Sequence, residues 1–324
     1  MRLLPLLLLL LAAPAFGQRA DTAAYPAADS SFYTEEAVVL HTATGDIHGT
    51  LTLPHRKEAV PVALIIAGSG PTDRDGNSPL LPGPGNSLRY LAHQLAKNRI
   101  ASLRFDKRGI GESAGAMKRE IDLRFDDYVA DARAWLALLA ADKRFTRRYV
   151  IGHSEGALIG ALAADGTKGY VSIAGAGFPA QDILKKQLAA QLPDSLMRPA
   201  TIIIDSLAAG HRVQRAPRQL IPIFRPSVQP YMISWFAHDP AQIVAKLKMP
   251  VLIIQGDNDI QVAEENGRAL KAAAPKAKLL VVPGMNHALK FVAARDPQTN
   301  LEAYSNPALP VMPAVVAAIV KFIK

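Results

Sequence analysis

The sequence predicts an α/β fold, a mostly parallel β-sheet with helices on both faces and an inserted helical cap. Short apolar strands alternate with amphipathic helices up to residue 174, and the alternation resumes at residue 251. Such alternation favours a parallel sheet that is covered by helices on both sides. Strand patterns are missing from residues 177–249, so that segment is interpreted as a cap inserted into one core. The core comprises residues 31–176 and 250–324.

The predicted strands are short apolar runs bounded by turn residues, and the predicted helices repeat apolar residues every three or four positions. Residues 60–66 form a continuous apolar run, which is typical of a strand buried on both faces. Asn86 and Ser87 are expected to cap the first helix. The other strands are predicted at residues 36–40, 47–53, 100–105, 149–151, 170–174, 251–255 and 278–282. The helices of the core are predicted at residues 88–95, 126–139, 157–164, 263–273 and 311–322.

The composition indicates a globular protein and excludes several kinds of site. Of the 324 residues, 49% are hydrophobic and 20% are charged, which is enough apolar material for a full core. The 37 basic and 28 acidic residues give a net charge of +9. The basic residues occur singly or in pairs, so we expect a solvated basic surface and no nucleic-acid partner. The chain has no cysteine, which excludes disulfides, thiolate metal sites and cysteine nucleophiles.

Residues 1–17 are predicted to be a signal peptide. Arg2 supplies a short positive start, residues 3–13 are a leucine-rich apolar run, and residues 15–17 are Ala-Phe-Gly, which a signal peptidase can read. The apolar run is shorter than the roughly 18 residues that span a bilayer. We therefore expect cleavage and export, to the periplasm or beyond, rather than stable membrane insertion. Residues 18–30 are expected to form a flexible lead-in.

A glycine-flanked serine stands out in residues 152–156, Gly-His-Ser-Glu-Gly, between an apolar strand and a helix of small residues. This is the pattern of a nucleophile elbow, in which a serine is lifted out of a sharp strand-to-helix turn. The glycines two residues before and after Ser154 remove the Cβ atoms that would collide with neighbouring chain. The helix also points its N-terminal N–H groups at the serine. Ser154 is therefore predicted to be a catalytic nucleophile.

A serine nucleophile needs an adjacent base, and the base needs an orienting carboxylate. Asp259 is the predicted carboxylate, because it lies in the turn after a late strand, with Asp257 as the alternative. Asp257 is nearer the strand, where a turn-forming role is more typical. His287 follows the next strand and is the predicted base. His153, although adjacent to Ser154, is expected to pack within the elbow.

Acyl transfer also needs hydrogen-bond donors for the oxyanion that develops in the transition state. One predicted donor is the backbone N–H of Glu155, the residue after the nucleophile. The other is predicted in the Gly-rich loop after residue 66, with Ser69 as the first choice and Gly70 as the alternative. A phosphate-binding loop is excluded there, because no Gly-Lys-Ser/Thr sequence follows.

Aromatic residues gather late in the cap and are candidates for a substrate pocket. They are Tyr231, Trp235 and Phe236. Their near-helical spacing fits the core of a lid at least equally well.

The loop beside the predicted oxyanion donors is unusually charged. Its side chains either contact substrate or pair with one another, and internal pairing is favoured because such loops need support. The same interpretation applies to two charged residues in the loop after residue 105. The residues concerned are Asp73, Arg74, Asp75 and Asn77, together with Asp106 and Arg108.

Five motifs occur in order along the chain and together resemble exported bacterial α/β-hydrolases of the carboxylesterase type, which are related to prolyl-aminopeptidase-like serine hydrolases. The resemblance covers nearly the whole chain after the signal peptide. It implies an α/β-hydrolase fold, a Ser–Asp–His triad, a helical lid and no metal. The motifs are residues 67–77 (AGSGPTDRDGN), 105–113 (FDKRGIGES), 152–156 (GHSEG), 255–262 (QGDNDIQV) and 284–287 (GMNH).

The expected function is hydrolysis of a small-molecule carboxylic ester through an acyl-enzyme, without a cofactor. A peptidase or amidase, a thioesterase, and a binding protein on a hydrolase scaffold are the alternatives. An aminopeptidase needs a cap carboxylate for the substrate amine, and nothing in the sequence marks out one of the four cap aspartates. These are Asp182, Asp194, Asp205 and Asp239.

Overall fold

The computed structural model describes residues 30–324 and contains one eight-stranded sheet with the order β1-β2-β4-β3-β5-β6-β7-β8. The pairs β1–β2 and β2–β4 are antiparallel, and the other neighbouring strands are parallel. The signal peptide and nearly all of the lead-in predicted from the sequence lie outside the described residues. The strands are β1 Tyr33–Thr42, β2 Gly45–Pro54, β3 Val60–Ile66, β4 Ala101–Phe105, β5 Phe145–His153, β6 Gly169–Ile173, β7 Val251–Gly256 and β8 Lys278–Val282.

Helices cover both faces of this sheet. Short 3-10 helices lie at Ser30–Phe32, Gly111–Ala116, Glu120–Asp122 and Arg218–Leu220. The α-helices of the core are α1 Ser87–Lys97, α2 Phe125–Ala141, α3 Glu155–Ala163, α9 Glu265–Ala273, α10 Pro297–Tyr304 and α11 Pro313–Ile323. Those between β6 and β7 are α4 Ala180–Ala189, α5 Asp194–Ala208, α6 Ile221–Phe224, α7 Gln229–Phe236 and α8 Pro240–Ala245.

The central strand β3 shows why its sequence is apolar throughout. Leu64 and Ile66 belong to an apolar layer that includes Trp135 of α2, whereas Ala63 and Ile65 belong to the layer on the opposite face. Side chains alternate between the two faces of a strand, so a strand covered on both faces needs apolar residues at every position. The predicted α/β fold with a mostly parallel sheet is confirmed.

The five helices α4–α8 lie in the segment that the sequence predicted as a cap. Residues of α4–α7 share a small apolar core, whereas Val244 of α8 packs in the main core. The cap is tied to the rest of the molecule by polar contacts. Arg225 and Ser227 bond to the carboxylate of Glu120, and the backbone N–H of Phe125 donates to Ser234 Oγ at 2.8 Å. These contacts hold the cap against the start of α2.

Three local features differ from the sequence-based expectations. The β1–β2 hairpin is longer than its apolar runs, because pairing continues from Tyr33↔Pro54 to Thr42↔Gly45. Asn86 does not cap α1 through its side chain; it has φ 54°, and its amide oxygen accepts a bond from Asn77. Helix α10 has little apolar periodicity and was not predicted, but the Asp296 side chain caps it by accepting the N–H of Thr299.

Within residues 30–324, no helix combines the length and the apolar character needed to cross a membrane.

Candidate active site

Ser154 lies in a backbone turn that only glycine neighbours permit. Its φ is 55° and its ψ is −122°, an unfavourable conformation for a residue with a side chain. A Cβ on Gly152 would lie 2.2 Å from the carbonyl oxygen of Gly156, and a Cβ on Gly156 would lie 2.3 Å from that of Ile66. The elbow therefore presses against its own helix and against the end of β3. The backbone N–H of Ser154 donates to Ile173 at the end of β6, at 3.0 Å.

The structure brings Asp259 and His287 together. His287 Nδ1 donates to Asp259 Oδ2 at 2.8 Å, and Asp259 is fully buried. The other carboxylate oxygen of Asp259 accepts the backbone N–H groups of Gln261 at 2.8 Å and Val262 at 2.9 Å. These bonds hold the carboxylate in place beside the imidazole. The bond from Nδ1 to Asp259 Oδ2 fixes the histidine tautomer, with the proton on Nδ1 and the lone pair on Nε2.

Asp257, the alternative carboxylate, has a different role in the turn. Its Oδ1 accepts the backbone N–H of Gly284 at 2.7 Å, which ties the turn after β7 to the loop after β8. That loop carries His287. The bond thus helps to bring the two loops together, while the carboxylate that touches the imidazole belongs to Asp259.

His153 packs behind the predicted base, as the sequence suggested. Its Nε2 donates to the backbone carbonyl of His287 at 2.8 Å, and the two ring centroids are 4.7 Å apart. Burial, with a smaller contribution from His287, lowers the pKa of His153 to about 3. His153 therefore stays neutral and supports the loop that carries His287.

Ser154 faces a cavity of about 740 Å³ beneath the cap, which Ser69, Gly70 and Glu155 also line. In the described chain, the backbone N–H groups of Ser69 and Glu155 make no hydrogen bond, so both are available as donors. Within residues 30–324, Ser154 Oγ and His287 share no hydrogen bond. Such bonds often tighten only when substrate is present.

The cavity lining contains two of the three predicted aromatic residues. Tyr231 and Trp235 line it, together with apolar side chains such as Leu188 and Met232. Phe236 does not line it; this side chain is 4% exposed and packs in the core of the cap, which is the alternative that the sequence left open.

A buried ion pair in the wall of the cavity was not predicted from the sequence. Lys107 Nζ donates to Glu155 Oε2 at 2.9 Å and to the carbonyl oxygen of Gly68 at 2.6 Å. The Tyr231 hydroxyl donates to Glu155 Oε1 at 2.9 Å. Burial, and to a lesser extent Glu155, raises the pKa of Tyr231 well above its ordinary value, which keeps this hydroxyl a donor. From the sequence, Glu155 had been assigned a role only through its backbone.

The charged loop after β3 pairs internally, as expected. Asp73 Oδ1 accepts the backbone N–H groups of Asp75 at 2.9 Å and Asn77 at 2.8 Å. Arg74 donates to Asp106 Oδ2 at 2.7 Å, and Arg104 Nε donates to Asp75 at 3.1 Å. Asn77 accepts the backbone N–H groups of residues 85 and 86. These contacts hold the loop that carries Ser69.

The loop after β4 is held in the same way. Asp106 accepts the backbone N–H groups of Arg74 at 2.8 Å and Glu112 at 3.0 Å. Arg108 donates to both carboxylate oxygens of Asp131 on α2, at 2.7 and 2.5 Å. The charged residues discussed from sequence, Asp73, Arg74, Asp75, Asp106 and Arg108, thus bond within the protein, and none of them lines the cavity.

Among residues 30–324, no group of three or more His, Asp or Glu side chains is placed to hold a metal ion.

Comparison with known proteins identifies the protein family to which the chain belongs. Residues 85–291, more than half of the chain, match the model of the Hydrolase_4 family, described as serine aminopeptidase, S33. The chain belongs to this family. A curated relative of this Hydrolase_4 chain is esterase EstD from Thermotoga maritima, which is 27% identical over 254 residues. The match covers 74% of this chain and 57% of EstD, so the chain spans little more than half the length of that relative.

Solved structures share the α/β-hydrolase fold of this Hydrolase_4 chain. Est1E from Butyrivibrio proteoclasticus, solved with ferulic acid, has a TM-score of 0.59 at 20% identity, covering 88% of this chain and 97% of its own. The acylaminoacyl peptidase of Pyrococcus horikoshii has a TM-score of 0.55 at 12% identity, covering 85% of this chain and 41% of its own. At these identities the likeness concerns the fold alone.

The elbow glycines generate a prediction about stability. In Gly156→Ala, the new Cβ meets backbone oxygens of Ile66 and Ala67 at 2.3 and 2.6 Å. This overlap can be removed only if β3 or α3 moves, so we expect the free energy of unfolding to fall by about 3 kcal/mol. Urea unfolding followed by circular dichroism measures this. The matched control is Gly115→Ala, where no atom lies within 4 Å of the added Cβ. Equal stability of the two variants would contradict the packing described here.

Proposed function

We propose that this protein is a serine hydrolase that cleaves carboxylic esters through an acyl-enzyme. The observation that carries the proposal is the buried Asp259–His287 hydrogen bond, beside an elbow serine that faces a cavity under the cap. Membership of a serine hydrolase family supports it, as does the similarity to a protein named an esterase. The intact Ser154, Asp259 and His287 set argues against a binding protein on a hydrolase scaffold.

In the first step, His287 Nε2 accepts the proton of Ser154 Oγ as the oxygen attacks the ester carbonyl carbon. His287 Nδ1 keeps its bond to Asp259, whose charge stabilises the imidazolium that forms. Asp259 is itself held by two backbone N–H groups, so the carboxylate does not have to reorganise during the reaction.

The carbonyl oxygen becomes negative as the tetrahedral intermediate forms. The backbone N–H groups of Glu155 and Ser69 serve as its donors, since both are unpaired and line the cavity. The imidazolium of His287 then protonates the leaving alcohol. Water repeats the sequence on the acyl-enzyme, with His287 as base, and releases the carboxylic acid.

The main competing function is that of an aminopeptidase, which the family description names. Such an enzyme needs a free carboxylate to hold the substrate's ammonium group. The carboxylates that line the described cavity are Glu120 and Glu155. Glu120 is paired with Arg225, and Glu155 with Lys107. An ammonium group therefore has no unpaired carboxylate to bind.

The four cap aspartates do not provide that carboxylate either, because none of them lines the described cavity around Ser154. Asp205 pairs with Lys185, and Asp239 caps α8. The largely apolar lining suits a neutral substrate instead. A volume of about 740 Å³ lies within the range of small-molecule sites and accommodates a medium-length or aromatic acyl group.

Turnover of p-nitrophenyl esters from acetate to dodecanoate, beside aminoacyl-p-nitroanilides, tests the proposal. We expect ester turnover without anilide turnover, and kcat/KM that rises by up to about fourfold per methylene towards medium chains, since each buried methylene contributes roughly 0.8 kcal/mol. Ser154→Ala and Asp259→Asn should lower kcat by at least about 10³-fold. The matched control Asp257→Asn keeps its acceptor for Gly284 and should retain most activity.

Three results would count against this function. Anilide turnover without ester turnover would make the protein a peptidase. Full activity in Ser154→Ala would remove the serine mechanism. A larger loss in Asp257→Asn than in Asp259→Asn would assign the wrong carboxylate.

We also propose that the chain is exported, with cleavage after residue 17. The support is Arg2, the apolar run of residues 3–13 and the small residues at 15–17. Expression in a bacterium with two membranes, followed by cell fractionation and N-terminal sequencing, tests this. We expect a periplasmic or secreted chain beginning at Gln18, and retention in the cytoplasm for Leu8→Arg. Cytoplasmic wild-type protein that retains Met1 would contradict export.

A further inference from the structure

A buried lysine holds the loop that supplies one of the two proposed oxyanion donors. Lys107 follows β4, and its side chain is 4% exposed. We propose that Lys107 is a positioning residue of the oxyanion hole, which orients the Ser69 N–H through the Gly68 carbonyl, and that Glu155 and Tyr231 hold it in place. This inference rests on the proposed ester hydrolysis and extends it to a residue outside the triad.

The geometry of one peptide unit carries the first step. The Gly68 carbonyl and the Ser69 N–H belong to the same peptide bond, and the peptide bonds of residues 30–324 contain no cis form. In a trans peptide the C=O and N–H point in opposite directions. The bond of 2.6 Å from Lys107 Nζ to the Gly68 oxygen therefore fixes the direction of the Ser69 N–H, away from the lysine.

The Gly68–Ser69 segment lies beside the reaction centre. Ser69 and Ser154 line the same cavity, and a Cβ on Gly68 would lie 3.1 Å from the Cβ of Ser154. The Ser69 N–H makes no hydrogen bond in the described chain. A cation on the carbonyl side of a peptide also polarises its N–H, which strengthens the donor.

Glu155 anchors the lysine and joins both halves of the oxyanion hole. A buried ammonium must be paired, and the Glu155 carboxylate, which is 4% exposed, meets it at 2.9 Å. Glu155 also supplies the second backbone donor. The ion pair therefore spans the gap between the two backbone segments whose N–H groups must converge on one oxygen atom.

Aromatic side chains complete the enclosure of this ion pair. The Tyr231 hydroxyl, from cap helix α7, donates to the second oxygen of Glu155 at 2.9 Å. Lys107 Nζ lies 5.3 Å from the centre of the Tyr128 ring, on α2. The ammonium is thus engaged by Gly68, Glu155 and Tyr128, so it is committed to the loop rather than available to bind a substrate anion. Tyr231 links the cap to the same network.

The test compares Lys107→Met with Lys118→Met, a matched substitution of another ion-paired lysine. Lys118 pairs with Asp127 at 2.5 Å and does not line the described cavity. The readouts are kcat and KM for a p-nitrophenyl ester, and Ki for a trifluoromethyl ketone whose alkyl chain has the same length as the acyl chain of the ester. That ketone adds Ser154 Oγ to its carbonyl carbon, the proton passes to His287, and an oxyanion forms. The corresponding alcohol, which forms no oxyanion, reports ground-state binding.

Loss of one oxyanion donor costs about 10²–10³-fold in kcat, and a misdirected donor costs less, so we expect Lys107→Met to lower kcat about 30-fold. Ki for the ketone should rise by a similar factor, while KM and Ki for the alcohol change less than about threefold. Lys118→Met should leave all four values within about twofold. If Lys107→Met does not fold, Glu155→Gln is the second variant, because glutamine keeps the shape of the anchor. It should weaken binding of the ketone at least about fivefold and leave KM unchanged.

Failure of the inference is distinguishable from failure of the proposed function. Wild-type protein that hydrolyses no ester would remove the function itself. An active wild type in which Lys107→Met matches Lys118→Met would overturn the role of Lys107. Equal losses for ketone and alcohol would reduce Lys107 to a structural residue, and so would a folded Glu155→Gln that binds the ketone as the wild type does.

Discussion

The close approach of three backbone segments at one end of the sheet is the constraint on which the site depends. The end of β3, the elbow after β5 and the first turn of α3 meet with no room for a side-chain atom at Gly152 or Gly156. This contact brings the Gly68–Ser69 peptide beside Ser154. It also forces the strained conformation of the serine. The packing of the surrounding sheet and helices must offset the energetic cost of this strain.

Charges then fix what the backbone contact brings together. Arg74 with Asp106, Arg108 with Asp131, and Lys107 with Glu155 join the loops after β3 and β4 to the elbow and to α2. Buried ions are costly unless they are paired, so each carboxylate committed to such a pair is unavailable to a substrate. Because its carboxylates are paired in this way, the cavity has a largely apolar surface and no free carboxylate among its described lining residues. Such a surface favours neutral esters over free amines.

The sequence was informative wherever a local pattern had a single physical cause. The apolar run of β3, the glycines around Ser154, and Asp259 and His287 after successive strands all follow from local rules, and the structure places Asp259 against His287. It was less informative where contacts are distant in sequence. Lys107 and Glu155 are 48 residues apart, and Tyr231 lies 76 residues beyond Glu155, so no spacing reveals their contact. The sequence left both the pocket and the core of the cap open for Phe236, because helical spacing does not tell which face of α7 meets the cavity.

The proposed mechanism requires Ser154 to be a nucleophile that His287 activates. Reaction with a fluorophosphonate, followed by intact mass and peptide mapping, tests it most directly, because the probe reacts only with an activated hydroxyl. We expect a single adduct on Ser154, no adduct in Ser154→Ala, and labelling slowed by at least about 10³-fold in His287→Ala. Labelling of another residue, or unchanged labelling in His287→Ala, would contradict this mechanism.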